Sequence, residues 1–246
     1  MLNLTARQIG EIVQGTLYGD NEGQIIRRIS FDTRQIFHAH EVMFIALSGE
    51  HRDGHNYIKK AWDAGVRCFL VSRAIDFESF KDSVFILAGD TLSGLQAIAA
   101  YHRSQFDIPV IGITGSNGKT IVKEWLYQML SSEINIAKSP KSYNSQLGVP
   151  MSVITLRPEN QLAIFEAGIS QKGEMDRLEP IIRPTIGILT YMGAAHSEGF
   201  ESKTAKIEEK LKLFKHAEYV IYQKKENTHE AFERVLPGKP SFSWAV

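Results

Sequence analysis

Lys119 and Thr120 follow three glycines in the stretch GITGSNGKTIVKEWLYQML, residues 112–130. A lysine beside glycine-freed backbone amides neutralises phosphate, and a neighbouring hydroxyl is a hard oxygen donor suited to Mg²⁺. The spacing is not the common phosphate-loop pattern G-x-x-x-x-G-K-[ST]. Counting back from Gly118-Lys119-Thr120 puts Ile113 where the first glycine belongs, and the glycines stand at 112, 115 and 118. The apolar run VIGIT precedes the loop, and Ile121, Val122, Trp125, Leu126, Met129 and Leu130 follow it at helical spacing, on one face. A strand–loop–helix unit is therefore expected, with Gly115, Ser116, Asn117, Gly118, Lys119 and Thr120 forming an anion cradle at a helix N-terminus. The competing reading is a glycine-rich turn with a surface lysine; strand, loop, Gly-Lys-Thr and helix together favour phosphate.

Other residues of the right chemical type have two readings each. Glu166 closes the apolar run LAIFE, where the strands of an α/β sheet open onto a ligand crevice; it reads equally as a solvated strand-end charge. His196, in the small-residue loop AAHSEGF, reads by itself as structural more often than as a ligand. Lys210 stands among Lys203, Lys206 and Lys212, as a solvated helix charge would. Asn144 suits a turn or an amide donor to phosphate. Asp32, Thr33 and Arg34 are either a loop ion pair or a guanidinium fork for a diphosphate. Asp53, Gly54 and His55 either line the same pocket or shape the loop.

The elements that must position these residues alternate. In the first part, TARQIGEIVQG reads as a helix with Thr5 as N-cap and Gly15 as its stop. VMFIAL, RCFLVS and SVFILAG read as buried strands, and HNYIKKAWDAGV as a helix ending at Gly65. A helix at 91–105 ends before Pro109, which disfavours helix at the residue preceding it. Thereafter come strand VIGIT, a helix 118–131, a loop 138–150 and strand LAIFEAG. A helix near 173–182, strand TIGILT, a helix 202–216 and strand EYVIYQ follow, and the tail LPGKPSFSWAV ends with no closing helix, as in a fragment of a longer chain. The expected fold class is α/β: a small N-terminal unit at 1–88, a linker helix at 89–108, and from 109 to 246 a mononucleotide-binding unit with a mostly parallel, helix-covered sheet.

The bulk numbers agree with a globular α/β chain. Of 246 residues 43% are hydrophobic and 23% charged, enough for a proper core. Lys+Arg and Asp+Glu both number 28, so no basic excess points to nucleic acid or an anionic membrane. Cys68 is the one cysteine and sits in VRCFLV, as a buried core thiol in a reduced compartment would. No apolar run approaches the ~18 residues of a membrane span, and the N-terminus lacks the basic start and apolar block of a signal peptide. A cytoplasmic monomer is the expectation.

The loop GITGSNGKT resembles the ATP loop of the Mur ligase family, amide-forming ligases of the peptidoglycan stem peptide, in which the glycines run G-x-x-G-x-x-G-K-T. FDTR (31–34) followed by MFIALSGEHRDGHNYIKKAWDAGVRCFLV resembles the N-terminal domain of the member that adds D-alanyl-D-alanine. SYNSQLGVP (142–150), AIFEAGISQKGEM (163–175) and GAAHSEGF (193–200) resemble its ATPase domain in the right order, so the likeness covers nearly the whole chain. SPKSYNSQLGVP is similar to versions fused to an alanine racemase half.

The resemblance implies ATP and Mg²⁺ as cofactors, and UDP-N-acetylmuramoyl-tripeptide and D-alanyl-D-alanine as partners. It implies catalytic roles for Lys119, Asn144, His196 and Lys210. Thr120, Glu166, His196 and a carbamylated Lys210 become metal ligands, and Asp32, Thr33 and Arg34 hold the uridine diphosphate end of the substrate. Two positions depart from the family's pattern: Tyr191 stands in TYMG where relatives carry asparagine, and Ser142 stands two residues before Asn144 where asparagine is frequent. The relative that adds the third stem residue, a folate-polyglutamate ligase, and a non-catalytic UDP-muramoyl-peptide binding module are the alternatives. The DTR…DGH segment speaks against the folate enzyme.

Overall fold

A computed structural model describes residues 2–49, 52–193 and 199–245. The chain divides into two compact units, residues 1–101 and 102–246, and the division falls within the helix expected at 91–105.

The first unit contains β1 (Leu4–Thr5), α1 (Ala6–Ile12), β2 (Thr16–Tyr18), β3 (Ile25–Ile26), β4 (Arg28–Ser30) and β5 (Val42–Ile45). It continues with α2 (Ile58–Asp63), β6 (Cys68–Val71), β7 (Val84–Leu87) and most of α3 (Thr91–Ser104). The apolar runs form the centre of a five-stranded sheet ordered β2-β7-β6-β5-β4, parallel except for the antiparallel edge pair β2–β7. β1 and β3 make a separate antiparallel pair. Thr5 caps α1 as expected, in a reciprocal capping box with Gln8. Cys68 is buried, and burial pushes its thiol well above the ordinary range.

The second unit contains β8 (Val110–Thr114), α4 (Lys119–Leu130), β9 (Ile136–Lys138), α5 (Gly148–Val153), β10 (Leu162–Glu166) and α6 (Glu174–Ile182). It is completed by β11 (Ile186–Leu189), α7 (Lys203–Leu211), β12 (Tyr219–Gln223), α8 (Glu226–Val235) and β13 (Ser241–Trp244). Six strands, ordered β13-β12-β11-β8-β10-β9, pair in parallel throughout. The chain leaves β8 toward β9 and β10 on one side, then returns to place β11 on the other. That reversal makes the carboxyl end of β8 the topological switch point, where α/β sheets bind ligands.

Four expectations need correction. The loop expected at 138–150 begins inside β9 and ends inside α5. Gly148 and Pro150 read as loop signals, but proline fits a first helical turn, where its missing N–H has no partner to lose. The helix expected at 202–216 ends as α7 at Leu211 and tightens to a 3₁₀ turn, Lys212–Phe214. Between strand EYVIYQ and the tail LPGKPSFSWAV lies a helix the sequence reading passed over, α8, which buries only Thr228, Ala231 and Phe232, too thin a stripe to stand out; the tail itself has no closing helix and forms the edge strand β13.

The fourth concerns α4, whose apolar face is twice as wide as its buried one. Val122, Leu126 and Leu130 pack on Ile111, Ile113, Leu162 and Ile164. Ile121, Trp125 and Met129 are 56%, 64% and 73% exposed.

Close helix–sheet approach accounts for one strand glycine. A Cβ on Gly187 in β11 would sit 2.4 Å from Cδ1 of the buried Phe214 ring. Gly187→Ala is expected to cost about 1–3 kcal/mol by overpacking, read as a lower urea midpoint at unchanged slope.

Candidate functional site

The carboxyl end of β8 gathers most of the residues singled out above. Gly115 has φ +149° and Gly118 φ +87°, left-handed conformations that favour glycine. A Cβ on Gly115 would lie 2.0 Å from Thr190 Oγ1, so this position excludes any side chain. The segment after β11 holds the loop: the amides of Ser116 and Asn117 donate to Tyr191 O at 3.0 and 3.3 Å, and Thr190 Oγ1 donates to Asn117 O at 2.7 Å. Two of the expected cradle amides are thus engaged in this conformation. The first-turn amides of α4 have no partner within the helix. Because Tyr191 grips the loop through its carbonyl, replacing asparagine by tyrosine leaves that contact intact. The tyrosine ring itself stacks under Lys225 Nζ, 4.4 Å from its centroid.

Lys119 Nζ donates to Gly115 O at 3.0 Å, folding the side chain over the loop. Burial lowers its pKa from the ordinary lysine value, Glu166 opposes that shift, and Lys206 adds to it. Thr120 Oγ1 lies 3.0 Å from Glu166 Oε2 and 3.3 Å from Oε1. With its one proton given to the carboxylate, it accepts from Ser142 Oγ at 3.1 Å. Ser142 thereby joins the same network. Glu166 is fully buried at the end of β10. Beyond it, the amide of Gly168 donates to Asn144 O at 2.7 Å, bringing Asn144 beside this strand end.

Thr120, Glu166 and Ser142 form a set of hard oxygen donors, which fits Mg²⁺. Among the described residues no group of three or more His, Cys, Asp and Glu forms a metal cage. Such a donor set suits an ion that brings waters and phosphate oxygens with it, as Mg²⁺ does.

Lys210 comes from α7 and is buried. Glu209 fixes the register of that helix: its Oε1 accepts from the amides of Gly173 and Met175 at 2.8 and 3.2 Å, capping α6. Burial, reinforced by Lys119 and Lys206, holds the Lys210 amine down to about 7, with Glu174 in opposition. Three lysines thus share one field, and one of them is partly neutral at physiological pH. An unfolded lysine titrates near 10.5, so between pH 7 and 10.5 the unfolded chain binds the extra proton and stability rises with pH. Lys210→Met is expected to flatten that rise and to stabilise the fold below about pH 7 by roughly 3–5 kcal/mol. Urea midpoints at pH 6 and pH 10 measure it; an unaltered pH profile contradicts the assignment. His196, the remaining expected ligand, lies outside the described residues.

In the first unit Asp32, Thr33 and Arg34 line a cavity of ≈ 500 Å³ together with Arg52, Gly54 and Lys60. Asp32 caps the 3₁₀ turn Thr33–Gln35 and grips the Arg34 guanidinium through Nε at 2.9 Å and NH2 at 2.8 Å. Those hydrogen bonds hold the Asp32 carboxyl down to about 2. The fork is therefore engaged with its neighbour, and Arg52 and Lys60 supply open cationic groups that sequence reading missed. Arg52 sits next to the DGH triplet, which was the available signal.

Asp53 and His55 shape the loop. Asp53 Oδ1 meets His55 Nδ1 at 2.6 Å, and Ser72 N donates to His55 Nε2 at 3.1 Å, which places the ring proton on Nδ1. Gly54 alone of the three lines the cavity. A larger cavity of ≈ 1040 Å³ on this unit, beside Tyr18 and Phe77, contains none of these residues.

Comparison with known proteins places these features in context. The Mur ligase middle domain family matches residues 113–242. UDP-N-acetylmuramoyl-tripeptide--D-alanyl-D-alanine ligase of Bacillus subtilis is 33% identical over 214 residues, covering 87% of this chain and 46% of the relative. The protein of that name from Synechocystis is 38% identical over 192 residues, covering 78% of this chain and 41% of the relative. The crystal structure of MurF from Acinetobacter baumannii superposes with a TM-score of 0.88 at 31% identity, over 98% of this chain and 53% of that one. The chain thus spans about half the length of the relatives it matches.

Proposed function

Because the chain belongs to the Mur ligase family, we propose that it serves an ATP-dependent ligase that joins D-alanyl-D-alanine to UDP-N-acetylmuramoyl-tripeptide. The supporting observation is the convergence of Lys119, the Thr120–Glu166 pair and the buried Lys210 at the carboxyl ends of β8 and β10. The likeness to curated ligases of that name supports the choice of substrates.

In this reading the first turn of α4 and Lys119 hold the β- and γ-phosphates, and Thr120 and Glu166 hold Mg²⁺. The ion, when bound, neutralises phosphate charge. The tripeptide carboxylate attacks the γ-phosphorus, ADP leaves, and an acyl phosphate forms; the dipeptide amine then attacks the acyl carbon and inorganic phosphate leaves. Lys119 stays close to the transferring group and offsets its charge, while Asn144 donates its amide to the acyl phosphate. Lys210, partly neutral, would add CO₂ with loss of a proton and so offer a carbamate oxygen to a metal ion, a role the family resemblance extends to His196. Asp32, Thr33 and Arg34, with Arg52 and Lys60, hold the uridine diphosphate end. The units take the roles of a uridine-binding domain at 1–88, a linker helix at 89–108 and an ATP-binding domain from 109 to 246. The reading includes a cytoplasmic monomer, and among the described residues no helix is long and apolar enough to cross a membrane.

Phosphate release tests the reading, measured on the chain completed by the remainder its relatives carry; the chain alone is expected to turn over poorly or not at all. Release is expected only with ATP, UDP-N-acetylmuramoyl-tripeptide and D-alanyl-D-alanine together. Release with a single amino acid in place of the dipeptide transfers the reading to the ligase that adds the third stem residue. No release with any amine overturns it.

A further inference from the structure

Lys123 is a lysine with no solvent exposure, on α4 one turn beyond the phosphate loop. Lysine is almost never fully buried unless paired. Its ammonium has three protons, and three acceptors surround it: Glu166 Oε1 at 3.0 Å, Ser139 O at 2.8 Å and Lys141 O. Glu124 Oε1 stands 3.3 Å away at the rim. The other Glu166 oxygen belongs to Thr120, so the carboxylate is divided between a resident cation and the hydroxyl at the head of the phosphate site.

We propose that Lys123 is a positioning residue that acts as the site's resident cation: it balances and aims Glu166 while no metal is present, and it keeps a divalent ion from binding until nucleotide phosphates arrive with it. The inference rests on reading Glu166 as a metal-binding carboxylate of the nucleotide site. The physical basis is charge counting in a low-dielectric pocket. A buried carboxylate needs one positive partner. Here Lys123 supplies it, and Lys119 adds positive field nearby. A free divalent ion at Glu166 therefore meets repulsion over short distances, where little water screens it. An ATP or ADP complex carries negative charge that cancels that repulsion. Metal and nucleotide binding are thus coupled through a lysine that touches neither.

Lys123 also ties the 139–141 segment to α4 through two carbonyls, and that is the purely structural role it must be separated from. Mn²⁺ alone, followed by electron paramagnetic resonance on the 246-residue chain, makes the separation. Lys123→Met is expected to bind free Mn²⁺ at least ~10-fold more tightly than the parent. Lys123→Gln, which keeps donors for the carbonyls, is expected to do the same. The double variant Lys123→Met/Glu166→Gln is expected to lose the gain. Unchanged or weaker Mn²⁺ binding in both single variants overturns the proposal. If the single variants fail to fold, the double variant is expected to recover folded circular dichroism, since neither charge remains buried; no recovery is equally fatal. A parent chain that fails to bind MgADP by calorimetry refutes the nucleotide-site reading instead, so the two failures are distinguishable.

Discussion

Lys119→Ala is expected to remove MgATP binding measurable by calorimetry, a loss of about 100-fold or more, equivalent to roughly 3 kcal/mol. The magnitude follows from the position of the side chain. Its ammonium folds over the loop to Gly115 O and sits partly buried, where a charge–phosphate contact is screened less than at the surface. The parent fold is expected to survive the change. Lys119 makes one hydrogen bond to a loop carbonyl, and burial already disfavours its charged form, so thermal midpoints of variant and parent are expected to lie close together. Retained MgATP affinity in a folded Lys119→Ala chain excludes this loop as the nucleotide site.

Glu166→Ala is the second large effect, and it acts on stability as well as binding. Removing the carboxylate strands the Lys123 ammonium in a pocket closed to solvent, and breaking one side of a buried ion pair costs about 3–5 kcal/mol. Thr120 loses its acceptor in the same step. Glu166→Gln keeps an oxygen for Lys123 and Thr120 without the charge, so it is expected to fall between parent and alanine variant in urea unfolding. Both variants are expected to lose the Mg²⁺ dependence of nucleotide binding. Equal stability of all three chains contradicts the pairing.

Much of this architecture is written in local patterns. Apolar runs such as VIGIT and LAIFE are parallel strands because both their faces are covered, which leaves no alternation to misread. The glycines at 115 and 118 are needed where they stand because the backbone there has positive φ and Thr190 approaches within 2.0 Å of a notional Cβ. Thr5 capping α1 is similarly a matter of neighbouring residues. Local patterns failed where a signal has two meanings. Gly148 and Pro150 mark a loop or a helix start, and the broad apolar face of α4 does not say which half meets the sheet.

By itself, then, the sequence determined the alternation of strand and helix and the strand–glycine loop–helix unit at 110–130, because each depends on residues close along the chain, while Thr120 and Glu166 entered as candidate ligands through the resemblance. Only the tertiary structure decided what those ligands are set against. Lys123 and Glu166 stand 43 positions apart, and no local pattern pairs them. Tyr191 holds the loop through a carbonyl that no residue type reveals. Lys210 is one lysine among several until packing buries it beside Lys119 and Lys206 and brings its amine down to about 7. The physical reason is common to all three. Backbone conformation is set by near neighbours, whereas the energy of a charge is set by the solvent it loses and the partners that folding brings to it.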